Sequence, residues 1–138
     1  MDLIVKHDET VAKWAESRLR AKFNPPRIAM GIVDGSGVLV GAAIWNAYQE
    51  KGNVELSYVG PGTLSRTVMR KLAKFAFGDL GASRVTLKTS RKNDVTKKLL
   101  GNKRHGFVYE MTQKRYFGPS PVTMLWCSAS FQSRPRNG

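Results

Sequence analysis

Read for its apolar and polar positions, the chain breaks into ten elements. Met1–Lys6 reads as a first strand. A helix follows from Asp8 to about Phe23, with Val11, Trp14, Ala15, Leu19 and Phe23 as its apolar residues and Asp8 placed to cap it. Asn24-Pro25-Pro26 ends it, because the residue before a proline is pushed out of the helical region. Arg27–Val33 and Val38–Tyr48 form two strands around Asp34-Gly35-Ser36-Gly37, a strong hairpin signal. Trp45 and Tyr48, near the end of the second, read as core or as groove-lining aromatics. Asn53–Val59 is β-branched and aromatic with no Gly or Pro inside, and Gly60-Pro61-Gly62 breaks it. From Thr63 or Ser65 a helix runs to about Leu80, with Met69, Leu72, Ala73, Ala76 and Leu80 on one face and Arg70, Lys71 and Lys74 on the other. Gly81 ends it. Arg84–Thr89 is a further strand, followed by Ser90-Arg91-Lys92-Asn93 and a basic helical segment. Gly106–Phe117 and Val122–Phe131 close the chain as a strand pair across Gly118-Pro119-Ser120-Pro121. One domain over residues 1–131 is expected, with a basic, frayed tail over 132–138.

The stretch from Asn53 to Arg84 organises the rest. A short Gly-containing turn ahead of a helix presents unpaired N–H groups and the positive end of a dipole at one point, which suits phosphate. The plainer reading is any strand–helix unit with an amphipathic helix. Glu55 stands out on the strand. It is one of only ten acidic residues in a basic chain, and alternation turns it away from Val54 and Leu56. Taken alone it reads as a sheet-surface Glu paired to an Arg. Taken alone, Asn93 reads as a helix N-cap.

Charge narrows the partners. The formal net charge is +13 over 138 residues. Between Arg66 and Arg104 stand twelve basic residues against only Asp79 and Asp94. A solvated face is the ordinary explanation, but the excess leaves room for DNA, RNA or an acidic protein, with Arg91, Lys92, Lys97, Lys98, Lys103 and Arg104 as the nucleic-acid candidates. The lone Cys127 excludes an internal disulfide, and the two histidines, His7 and His105, have no metal-ligand spacing. His105 reads as packed or surface rather than catalytic. No serine has a His and Asp arrangement for nucleophilic catalysis. No apolar run reaches membrane-spanning length, so a soluble, cytoplasmic protein is expected, with no membrane partner.

In order along nearly the whole chain, these elements resemble the GCN5-related N-acetyltransferases. There a strand leads into a pyrophosphate-binding turn and helix, and a strand, an Asn, a short helix and a Gly-Phe-x-x-Glu strand follow. Here these are Asn53–Val59, the turn, Asn93 and Gly106-Phe107-Val108-Tyr109-Glu110. The resemblance implies an α/β fold with a mixed, mostly antiparallel sheet flanked by helices on both faces. It implies acetyl-CoA or another acyl-CoA as cofactor, and transfer of the acyl group to an amine. It also places Glu55 as base, with Ser57 and Tyr109 in the catalytic set. Tyr58 and Val59 fall where backbone bonds the thioester carbonyl, at a strand end that splays from its neighbour. The family's turn, Gln/Arg-x-x-Gly-x-Gly/Ala, is altered: Pro61, Leu64 and Arg66 stand in its key positions. Leu64, Ser65, Arg66, Thr67 and Arg70, with Asn93, are then the cofactor-binding set. Glu55-Leu56-Ser57 with Leu64-Ser65-Arg66 is similar to a pattern in a divergent, phage-encoded subset. Many members reprotonate the thiolate with a Tyr where this chain has Asn102, which leaves Tyr109, Tyr116 or water. The acceptor is a nucleic-acid base, a host protein or a small amine. A decayed module that grips nucleic acid or a protein partner is the alternative.

Overall fold

A computed structural model describes residues 1–19, 21–90, 92–114 and 123–130, and for residues 104, 114 and 123–130 the backbone only. Seven strands form one sheet: β1 (Asp2–Ile4), β2 (Ile28–Val33), β3 (Leu39–Asn46), β4 (Asn53–Val59), β5 (Arg84–Ser90), β6 (Val108–Lys114) and β7 (Thr123–Ser130). Their spatial order is β1-β2-β3-β4-β5-β7-β6. Among these described strands only β4 and β5 run parallel. Helix α1 (Asp8–Leu19) covers one face, and α2 (Arg66–Ala73) and α3 (Asp94–Gly101) pack on the other. The element order and the mixed, mostly antiparallel sheet agree with the sequence reading. Gly118–Pro121 and the tail 132–138 lie outside the described residues.

Helix α1 stops at Leu19, short of the expected Phe23. Its carboxylates fasten the following segment back onto it. Glu16 Oε2 accepts the Phe23 N–H at 2.8 Å, and Glu9 pairs with Arg27 at 2.7 Å. Asp8 is the first helical residue, and its carboxylate accepts the Ala29 N–H of β2 at 3.0 Å. The expected cap is thus a tie between helix and sheet. Val11, Ala12 and Ala15 pack on Ala29, Ala42 and Ile44, with Val59 at the margin. The cover reaches β4 there and no further.

The other face carries the larger core. Val54, Leu56 and Tyr58 of β4 are buried with Val85 and Leu87 of β5, under α2. The helix buries Leu64, Val68, Leu72 and Ala76, one every fourth residue, whereas Ala73 is exposed. The expected stripe is met at Leu72 and Ala76, with Met69 and Leu80 half-buried against the same core; Leu64 and Val68 extend it toward the entry, and of its expected members only Ala73 falls outside it. A π-helical turn, Lys74–Asp79, then widens the spiral and lets Phe75 tilt against Trp45, ring centroids 5.5 Å apart. Gly81 at φ +73° closes the helix. Trp45 is core. Tyr48 is partly exposed, and its hydroxyl donates to the Leu80 carbonyl at 2.6 Å.

Candidate functional site

The site begins where two strands part. The parallel β4–β5 ladder runs from Asn53↔Arg84 to Leu56↔Leu87 and ends. Beyond it, Ser57, Tyr58 and Val59 pair only with β3, opposite Ile44, Ala43 and Ala42. Lys88, Thr89 and Ser90 continue against β7. Two glycines draw the end of β4 toward β3. A Cβ at Gly41 would stand 3.0 Å from the Val59 carbonyl, and one at Gly60 would stand 3.0 Å from Gly41 Cα. Gly60 also takes φ +154°, which a side chain disfavours. The result is a wedge open toward the C-terminal ends of β4 and β5, lined by backbone edges that have lost a ladder partner. Tyr58 and Val59 lie on its β4 side.

Alternation puts Asn53, Glu55, Ser57 and Val59 on the α1 face, all half-buried. Helix α1 does not extend over β5, so this half of the sheet has no helix above it among the described residues. Its side chains are polar and cross-linked. Lys88 Nζ stands 3.1 Å from Glu55 Oε1. Arg84 forks onto both oxygens of Glu110, which raises the guanidinium pKa still further. Arg84 Nε also donates to Thr86 Oγ1 at 3.1 Å, and the Thr86 hydroxyl donates to Asn53 Oδ1. Glu55 is therefore an ion-paired carboxylate at the lip of the wedge, paired to a lysine and not to an arginine. Asn46 faces it in register, and its Oδ1 is buried with no partner among the described residues.

The turn after β4 is held from inside. The Tyr58 hydroxyl, on the α2 face, donates to the Pro61 carbonyl, and burial raises its pKa well above the usual value. Leu64 is buried at 3 % exposure, so only its backbone is offered to a ligand. Ser65 caps α2: its Oγ accepts the Val68 N–H at 3.3 Å and its carbonyl the Met69 N–H at 3.0 Å. The N–H groups of Arg66 and Thr67 then have no acceptor among the described residues. Arg66, Thr67 and Arg70 are exposed, and neither arginine is ion-paired among those residues. Outward amides, a dipole end and two guanidinium groups fit a pyrophosphate.

The remaining candidates are spread around this centre. Asn93 caps α3, its Oδ1 accepting the Thr96 N–H at 3.1 Å. Lys98 lays its stem over Gly62, where an added Cβ would meet Lys98 Cδ at 2.9 Å. Lys97 pairs with Asp94 at 3.2 Å, and Lys92 and Lys103 are exposed. Arg91, the Arg104 side chain and Tyr116 lie outside the described residues. Tyr109 is 61 % exposed on the edge strand β6, with β7 and β5 between it and β4. His105 is packed at 5 % exposure, its Nδ1 2.7 Å from the Leu99 carbonyl. Sequence reasoning passed over Lys88, counting it only within the basic run. The polar series Arg84, Thr86, Lys88, Ser90 along β5 carried the signal once the strand was known to lie beside β4.

In sequence, no family model and no curated protein matches this chain. In structure, the similarities are extensive. A spermidine N-acetyltransferase SpeG chimera from Vibrio cholerae and hSSAT superposes with TM-score 0.69 at 11 % identity, over 94 % of this chain and 96 % of that one. An aminoglycoside 6'-N-acetyltransferase complexed with coenzyme A gives TM-score 0.66 at 14 % identity, over 98 % and 99 %. The ribosomal-protein-S5-alanine acetyltransferase from Vibrio fischeri gives 0.60 at 15 %, over 92 % and 72 %. The fold is that of the GCN5-related N-acetyltransferases.

Proposed function

We propose that this protein is an acyl-CoA-dependent N-acyltransferase that moves an acetyl or related acyl group to an amine. The observation that carries the reading is the wedge between β4 and β5, with Glu55 at its lip and the amide-bearing turn at its mouth. Acyl transfer needs a held donor, a base for the ammonium proton and a polarised carbonyl. The backbone amides of Arg66 and Thr67, with the Arg66 and Arg70 side chains, hold the pyrophosphate. The unladdered edge of Ser57–Val59 faces the pantetheine arm, and an amide near Val59 polarises the carbonyl. When bound, the cofactor supplies an acyl group activated as a thioester. Glu55 takes the proton from the incoming ammonium, directly or through water, with Ser57 beside it on the same face. The sharing of this fold by acetyltransferases, one of them a coenzyme A complex, supports the reading. Thiol release from acetyl-CoA, measured against a panel of spermidine, an aminoglycoside, an N-terminal alanine peptide and single-stranded DNA, tests it. Release that depends on one of these acceptors is expected. No release with any, together with no cofactor binding, overturns it.

A second reading follows from Lys92, Lys98 and Lys103, exposed around the C-terminal end of β5 beside the turn. On this reading the surface grips a polyanion, as the acceptor's carrier or as the partner of a catalytically decayed module. Acetyl-CoA binding separates the two.

A further inference from the structure

We infer that Lys88 is the acid that returns a proton to the sulfur as the thioester breaks, with Glu55 as its charge partner; this rests on the acyl-transfer reading above. A thiolate leaves when the C–S bond breaks, and protonating it blocks the reverse attack. Few described groups are placed to do so. Arg84 is locked in its fork with Glu110, and a guanidinium does not give up its proton. The Tyr58 hydroxyl lies on the opposite face of the sheet and is committed to Pro61. Tyr48 is committed to Leu80, and Tyr109 sits on β6, about 14 Å from β4 at ordinary strand spacing. His105 belongs to the core on the α2 side.

Lys88 is different in position. It is the first residue of β5 past the last ladder pair, Leu56↔Leu87, as Ser57 is the first of β4. Its ammonium is thus held at the point where the strands part, 3.1 Å from Glu55 and with its side chain only 23 % exposed. Among the described residues of β4, β5 and β6 on this half of the sheet, Arg84 and Glu110 form a second ion pair. An aliphatic thiol and a lysine titrate near about 8.5 and about 10.4, close enough for proton exchange within one turnover.

The protons balance in a closed circuit. Glu55 takes one proton from the substrate ammonium. The amine attacks the carbonyl carbon, a C–N bond forms, and the C–S bond breaks with its electron pair on sulfur. Lys88 donates a proton to that sulfur, giving the thiol. Glu55, now a carboxylic acid within hydrogen-bond reach, returns its proton to the neutral Lys88 amine. The second proton on nitrogen passes to the Glu55 carboxylate and from there to water, leaving amide, thiol and one released proton.

The test compares wild type, K88M, K88R and E55Q, each checked for folding by circular dichroism. Calorimetry with coenzyme A and with desulfo-coenzyme A reads the contact without turnover. In wild type at alkaline pH, coenzyme A gains over its desulfo analogue by about tenfold for each unit by which Lys88 lowers the thiol pKa. In K88M that gain disappears. Turnover with hydroxylamine, a neutral nucleophile at pH 7, then separates acid from base. It rescues E55Q but not K88M, because the sulfur still needs its proton. A wild-type ratio of coenzyme A to desulfo-coenzyme A affinity in K88M overturns the inference. So does equal rescue of both variants, which would make Lys88 a positioning residue for Glu55. So does full activity in K88R, which would show that charge suffices. Wild type that binds neither ligand sinks the acyl-transfer reading itself, and this inference with it.

Discussion

In the proposed mechanism Glu55 is the residue on which the chemistry turns, and its surroundings set what a substitution does. Gln at this position keeps the shape but accepts no proton. Glu55→Gln is expected to lower kcat by roughly 10²–10⁴-fold while leaving acetyl-CoA affinity near that of wild type. Steady-state kinetics beside calorimetry reads both, and an unchanged pH–rate profile would move the base elsewhere. Arg66 is expected to act on binding instead. Removing a charge-assisted phosphate contact costs about 1.5–3 kcal/mol, so Arg66→Ala is expected to weaken coenzyme A by that amount. It should leave pantetheine, which lacks the pyrophosphate, unaffected; equal loss for both ligands would place Arg66 outside the phosphate site. Glu55 was legible in the sequence because an acid on a core strand of a basic chain is conspicuous. Its partner was not. Lys88 lies 33 positions away, and only the parallel register, Glu55↔Thr86, brings it across. Asn93 offered two roles, and its geometry fills the N-cap.

The elements were legible in order because each carries its own period and punctuation. Asn53–Val59 coincides with β4, since a run of alternating buried residues ends on Gly60-Pro61-Gly62. Helix α2 was legible as a helix and, at Met69, Leu72, Ala76 and Leu80, in its buried face, but its ends were not. Its entry is set by Leu64 in the core, and its exit by a π-helical turn that answers to Trp45, a residue from another strand. No local pattern reports such a turn. The wedge also depends on two distant glycines meeting, Gly41 and Gly60. Gly60→Ala is therefore expected to push the end of β4 off β3 and narrow the opening. The expected outcome is a loss of stability of about 1–3 kcal/mol, read by urea unfolding, together with weakened cofactor binding. Wild-type stability and affinity in this variant would mean that Gly60 does not shape the wedge.

For the whole molecule, the net charge of +13 stands, but the local excess of the Arg66–Arg104 segment is smaller in space than along the sequence. Lys71 is met by Asp2, Arg84 by Glu110 and Lys88 by Glu55, acids that lie outside the basic segment in sequence. Of that segment, Lys92, Lys98 and Lys103 are exposed after β5, and Arg66 and Arg70 at the turn, beside the mouth of the wedge. If this surface grips nucleic acid, log affinity is expected to fall linearly with log salt, and reversing Lys97 and Lys98 to Glu is expected to flatten that slope. Fluorescence anisotropy with duplex and single-stranded DNA checks this, and no retention at low salt would direct the search for an acceptor to proteins and small amines. Among the described residues no helix is long and apolar enough to cross a membrane. The central claim is that the altered turn, without the usual glycines, still holds an acyl-CoA through outward amides and arginines. Isothermal calorimetry of the full chain with acetyl-CoA tests it most directly. The account predicts one-to-one binding that weakens as salt rises. No heat of binding at millimolar acetyl-CoA would contradict it.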